Sequence, residues 1–257
     1  MLTELDPRVR ASINLYAVLG SLPLLAERVG EARALLHPLS TPTALHVAVR
    51  GGPHGDITFS SEGVRIGRTD GAARVTIAFT SPEHFNRVID GTAQPIPLAG
   101  VRGIRFLTSV FAPISAILGR YLQPSDDDRA DPVFREDSTM LSLHVAAAAI
   151  AVVANEDRSG RFSSGLIPDG NVDLEVGESL RYQLRVREHR MTFESQPTQP
   201  PRAALRFQSL AVAGGILSGE LSAMACICDG SLSMRGFIPM VDNVNRILDR
   251  VGHYLGK

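Results

Sequence analysis

The chain has 257 residues, 44% of them hydrophobic and 21% charged, with a formal net charge of −1. That length suits one large domain or two small ones with a substantial core. The balance of charge excludes the basic footprint of a nucleic-acid binder and does not favour a polyanionic lipid surface either.

Met1-Leu-Thr-Glu-Leu-Asp-Pro7 has no basic segment leading into an apolar run, so no secretory signal is expected there. The longest apolar stretches, residues 13–25 and 141–154, are interrupted by Asn14 and Pro23 and by His144. Both fall short of the roughly 20 apolar residues that span a bilayer. The expectation is a cytoplasmic protein with no integral membrane segment.

Residues 8–36 read as helical, with Leu15, Val18, Leu19 and Leu22 at helical spacing and Pro23 as a kink or break. Strands follow at 44–49, 56–60, 63–67 and 74–80, the last placing Val75, Ile77 and Phe79 on one face. Ser81-Pro-Glu then opens a short helix. Ser81 can cap it, Pro82 loses nothing at its first position, and Gly91 supplies the left-handed stop. Phe85, Val88 and Ile89 form the apolar face of that helix. A strand is expected near 101–107 and a final helix at about 110–122.

Residues 123–138, with Asp126, Asp127 and Asp128, read as a solvated linker rather than a cation site. An alanine-rich helix is expected at 140–154 and a loop at 159–170. Strands are expected at 172–176, 180–187, 190–195 and 203–208, the last with Ala203, Leu205 and Phe207 on one face.

Shifting the first half by 128 positions places Phe79 on Phe207, Ser81 on Ser209 and Gly91 on Gly219, while Ile77 meets Leu205 and Ile89 meets Leu217. Strand, cap, apolar helix face and stop coincide in order, which points to an internal duplication. Slipping by two residues then sets Phe111-Ala-Pro113 on Phe237-Ile-Pro239.

These residues resemble the sterol-carrier-protein type two family. In that family a strand leads into a short helix with a serine cap and a phenylalanine (Ser81, Phe85), a glycine stop (Gly91), a further strand and an apolar last helix. In the second half Ser209, Gly219 and the strand Gly230 to Gly236 are similar. Ala213 stands where Phe85 does, and Gly214-Gly215 weaken the short helix. The resemblance implies an α+β fold, a curved mixed or antiparallel sheet covered by helices, present twice: residues 1–122 and 139–257, with 123–138 between.

It further implies an apolar cavity for a lipid, a sterol-like molecule or an isoprenoid. Its lining would be Phe79, Phe85, Ile89, Leu107, Phe111, Ile114 and Leu118, then Phe207, Leu217, Phe237 and Met240. The first half, with its aromatic intact, is the expected binder. A second copy of the chain is admitted as a partner, and no cofactor is expected.

Helix 110–122 carries Arg120 as its one charge, so it is either buried on both sides or offered to a ligand or partner. His144 reads as a core histidine before a catalytic base, since the sequence names no partner for it. Cys226 and Cys228 read as two thiols on one face of a strand, small buried hydrophobes before a metal site. Nucleotide-binding, nucleophile-elbow and zinc-protease motifs are absent. Asp90, Glu220 and Asp229 read as cap or turn residues. An enzyme of cyclase or isomerase type using the same cavity, and a scaffold with no ligand, are the other readings of the sequence.

Overall fold

The computed structural model describes residues 5–178 and 180–256. It is an α+β protein with two five-stranded mixed sheets flanked by helices. The chain divides into two compact units, one of residues 6–141 and one from Ser142 onward together with Leu5.

The first unit opens with α1 (Pro7–Ile13), capped by the Asp6 side chain, which accepts from the Arg8 amide. A wide π turn (Asn14–Val18) and a 3₁₀ turn (Leu19–Ser21) carry it into α2 (Leu22–Arg28). Pro23 therefore does not break the helix. The tightened turn puts it in the first turn of α2, where a missing N–H costs nothing. After α3 (Gly30–Ala34) come β1 (Thr43–Val49), β2 (His54–Ser60), β3 (Gly63–Ile66) and β4 (Ala73–Phe79). Then follow α4 (Pro82–Ile89) and β5 (Ile96–Leu98).

The sheet order is β3-β2-β1-β4-β5, with β1 and β4 parallel and the other neighbours antiparallel. Register sets Leu45 beside both Ile57 and Val75, and Val47 beside Ile77. Because side chains alternate, these residues share one face with Phe59 and Phe79. They form a core with Leu15, Leu22, Leu25, Phe85, Phe106 and Ile114.

The expected strand at 101–107 is a helix: α5 (Val101–Phe106) runs through a π turn (Leu107–Phe111) into α6 (Ala112–Leu122). The strand is instead the short β5, where Pro97 has no N–H to extend the ladder. The expected linker 123–138 is helical too. α7 (Asp126–Ala130) starts with a capping box of Ser125 and Asp128, and its three aspartates sit at the positive end of the helix dipole. α8 (Pro132–Glu156) begins inside that segment and crosses from the first unit into the second. It buries Phe134, stacked on Tyr121 at 4.0 Å, and Asp137, which accepts from Arg28 Nε at 2.8 Å.

The second unit continues with α9 (Arg158–Gly165), where a loop was expected; Asp157 caps it by accepting from the Ser159 and Gly160 amides. Then come β6 (Gly170–Val176), β7 (Leu180–Arg187), β8 (Arg190–Glu194), β9 (Ala203–Phe207) and α10 (Leu210–Ser218). α11 (Ala223–Asp229), β10 (Leu232–Gly236) and α12 (Ile238–Tyr254) complete it. The strand order is β10-β9-β6-β7-β8, with β6 and β9 parallel and the other neighbours antiparallel.

Read from the centre outward, this is the order of the first sheet strand for strand. Cys226 and Cys228 lie on α11, not on a strand; Cys226 is buried and Cys228 exposed, so the two thiols do not share a face.

Helices that continue through expected breaks change one further expectation. Pro7–Arg28, Val101–Leu122 and Pro132–Glu156 are, by length and composition, long and apolar enough to cross a membrane. Each runs through an expected interruption: Pro23, the strand at 101–107 and the linker at 123–138. They differ in cover: 83% of the apolar window in Pro132–Glu156 is buried within the fold, but only 33% of that in Val101–Leu122.

Candidate functional site

Both short helices start and stop alike. The Ser81 hydroxyl accepts from the His84 amide and the Ser209 hydroxyl from the Val212 amide. Gly91 and Gly219 close them at φ 73° and 79°. A side chain at either would be strained in that left-handed conformation.

What the two helices contribute differs. Phe85 is buried with its ring 4.7 Å from Phe79. Phe59 meets Phe106 at 5.4 Å and Phe111 at 6.1 Å, both edge-on. Phe79, Phe85, Ile114 and Leu118 are all core residues of the first unit, and Leu107 and Phe111 pack against them half-buried. Ile89 stands apart, 37% exposed. In the second unit Phe207 and Met240 are buried and Leu217 is half-buried. Phe237 is 41% exposed, its ring under the Arg202 guanidinium at 5.0 Å.

In each unit some of the exposed apolar side chains lie on the edge strand and on the segments beside it. In the first unit they are Ile96, Leu98, Val101 and Ile104. In the second they are Leu221, Met224, Ile227, Met234, Phe237 and Ile238. The segment is shared but the faces are not. Ile96 and Leu98 sit beside Ala78 and Thr76, on the sheet face turned from the core. Met234 sits beside Leu205, on the core face.

At this edge of the second unit Met234, on the core face, is 40% exposed and its neighbour Leu205 is half-buried. A Cβ at Gly215 would stand 2.6 Å from Leu221 Cδ1, so the glycine lets Leu221 fold against α10. Most of these exposed residues escaped the sequence reading. Ile96 and Leu98 lie before the strand expected at 101–107, and Cys226 and Cys228 are expected on a strand, not on α11.

A polar pair occupies the centre of each sheet on the other face. His46 Nδ1 lies 3.0 Å from Asp56 Oδ1 in the first unit. The equivalent cross-strand neighbours in the second are Asp173 and Gln183, with Gln183 Nε2 donating to Asp173 Oδ1 at 2.6 Å. His46 and Asp56 are partly exposed, whereas the Asp173 side chain is fully buried under Arg181, which donates to it through Nε. The Gln199 carbonyl accepts from both Arg181 and Gln183.

His144 lies on α8 with Tyr182 and Phe193 edge-on at 5.4 and 4.9 Å. Its Nδ1 meets no hydrogen-bond partner among the described residues. Burial pushes its pKa down to about 4, which keeps it neutral near pH 7. Asp90 pairs with Arg10 at 2.8 Å, Glu220 is exposed, and Asp229 accepts from the amide and hydroxyl of Ser231. Among the described residues no group of three or more His, Cys, Asp or Glu could hold a metal ion.

No protein-family model matches the chain, and neither does any curated protein. Solved structures do. A ubiquinone synthesis protein described as UbiJ-SCP2 is 17% identical, covering 41% of this chain and 95% of its own, with a TM-score of 0.32. The sterol carrier protein domain 2 of Helicoverpa armigera is 11% identical over 42% of this chain and 84% of its own, with a TM-score of 0.33. The inverting sec-alkylsulfatase Pisa1 of a Pseudomonas species is 10% identical over 62% of this chain and 31% of its own, with a TM-score of 0.25.

Proposed function

We propose that the chain binds a hydrophobic molecule, a lipid, sterol-like compound or isoprenoid, and hands it on, and that it is a tandem duplication of one such unit. The observation that carries this is the exposed apolar side chains around the edge strand of both units, on β5–α5 and on α11–β10–α12. Covering a large exposed apolar side chain with a ligand is worth roughly 1.5–3 kcal/mol at about 25 cal/mol per Å². Contiguous surface of this kind marks binding sites. The shared strand order, the single parallel pair in each sheet and the matched caps support the duplication.

The second unit is the better receptor. Its opening leads to the core face, so a ligand entering beside Met234 and Phe237 would lie along Leu205 and Leu217 and rest on buried Phe207 and Met240. In the first unit the residues picked out by sequence, Phe79, Phe85, Ile114 and Leu118, are satisfied by one another. Leu107, Phe111 and Ile89 remain for a guest there. This moves the expected site from the first unit to the second.

The test is to purify the protein without detergent, extract it with organic solvent and identify what comes away by mass spectrometry. A hydrophobic compound at near-stoichiometric amount is expected, reduced by Met234→Ser with Phe237→Ser more than by Leu107→Ser with Phe111→Ser. An empty extract, with no thermal shift across a panel of lipids, would overturn the reading.

A further inference from the structure

The second unit carries another surface that ligand binding does not use. On α9 the buried side is small: Gly160, Ser163 and Ser164. Gly160 sits so close to α8 that a Cβ would stand 2.1 Å from the Val153 carbonyl oxygen. The large apolar residues point the other way. Phe162 is 71% exposed, and Leu166, just past the end of the helix, is 55% exposed. The charged residues of α9 are Arg158 and Arg161, both exposed. An amphipathic helix lying on a core would place its phenylalanine inward; this one is reversed.

Ser164 Oγ donates to the His189 carbonyl at 3.1 Å, which sets the end of α9 against the hairpin tip between β7 and β8. That tip is Arg187-Glu188-His189-Arg190. Glu188 and His189 both adopt left-handed backbone, at φ 50° and 61°. Arg187 and Arg190 are direct cross-strand neighbours, a like-charge pairing that disfavours the hairpin. None of Arg158, Arg161, Arg187 and Arg190 makes an ion pair among the described residues. Asp157 cannot serve them, since it is engaged by Arg250, Tyr254 and two amides of α9.

We propose that this surface docks on an anionic lipid bilayer, with Phe162 and Leu166 entering the interface and the four arginines meeting lipid phosphates. The charge is complementary, and guanidinium pairs with phosphate through two parallel hydrogen bonds. A nucleic acid would offer the phosphates but no apolar phase for Phe162 and Leu166. A protein interface core would be depleted of charge. The net charge of −1 does not oppose docking, because surface charges beyond a Debye length of about 8 Å are screened. The inference stands independently of the hydrophobic ligand.

The chain contains no tryptophan, so Phe162→Trp makes a single reporter in the full-length protein. It is titrated with vesicles of phosphatidylcholine alone and of phosphatidylcholine with phosphatidylglycerol. A blue shift and co-sedimentation are expected with the anionic vesicles only, weakening as salt is raised. Arg158→Gln with Arg161→Gln should lower affinity about fivefold per arginine, and Phe162→Ser should remove most of it. All these positions are exposed, and an unchanged circular dichroism spectrum confirms folding. The proposal is overturned by failure to bind either vesicle, by equal binding to both, by binding with unshifted emission, or by equal retention on duplex DNA.

Discussion

In the first unit the short helix after β4 sets Phe85 against Phe79 in a buried core that also holds Phe59, Phe106 and Ile114. In the second unit the same helix offers buried Ala213, and Leu221 folds against Gly215. The strand order, the parallel pair and the caps are alike, yet the second sheet leaves Met234 exposed on its core face. Backbone plan sets where a cavity can lie; side-chain volume along one helix decides whether it is filled. On the opposite face the contrast reverses. The first sheet leaves His46 and Asp56 partly wet, while the second buries Asp173 beneath Arg181.

The most disruptive way to break this comparison is Phe85→Ala, which gives the first helix the second's side chain. A loss of about 4 kcal/mol in denaturant unfolding is expected for a fully buried phenylalanine, and a rise in uptake of apolar dye would mark the opened core. Unchanged stability would show the first core is not sealed by this residue.

Asp173→Ala comes next. It removes the buried carboxylate that accepts from Arg181 and Gln183, leaving them the Gln199 carbonyl, and should cost about 3 kcal/mol for hydrogen bonds to a charged group. Asp56→Ala, which breaks the partly exposed pair of the first sheet, should cost under about 1 kcal/mol. Equal losses would erase the distinction between the two faces.

His144 gives a pH-dependent contrast of similar size. Its folded pKa, about 4, lies below the unfolded value near 6.5, so the unfolded chain binds the proton more readily. Its neutral form supports the fold fully above pH 6.5, and that support drains as pH falls towards 4, by on the order of 3 kcal/mol. His144→Phe should flatten the stability profile in this window. A profile that keeps its slope would assign it to other groups.

Much of the fold was legible because its local signals are strong. Ser81-Pro82 and Gly91, and their partners Ser209 and Gly219, mark helix ends by backbone chemistry that any context preserves. Alternation in Val75–Ile77–Phe79 fixed a strand and its inner face. The failures came where tertiary context overrides a local signal. Pro23 was tolerated because a 3₁₀ turn absorbed it, and Val101–Leu107, rich in residues suited to strand, became helix once β5 had taken the edge position. α9 was missed because glycine and serine, read as loop formers, are what allow close approach to Val153. Of the candidate aromatics Phe79, Phe85 and Phe207 are buried, Phe111 is half-buried and Phe237 is exposed. Their exposure was not legible, since whether an apolar side chain is covered depends on its neighbours across the sheet.

The open edge of the second unit has a chemical lifetime as well as a shape. It carries two methionines, Met224 at 69% exposure and Met234 at 40%, while the corresponding first-unit residues, Ile96, Leu98, Val101 and Ile104, contain no sulfur. Peroxide converts a thioether to a polar sulfoxide, which reductases can reverse. Mild oxidation would therefore wet the second edge and spare the first, making affinity for an apolar guest a readout of redox history.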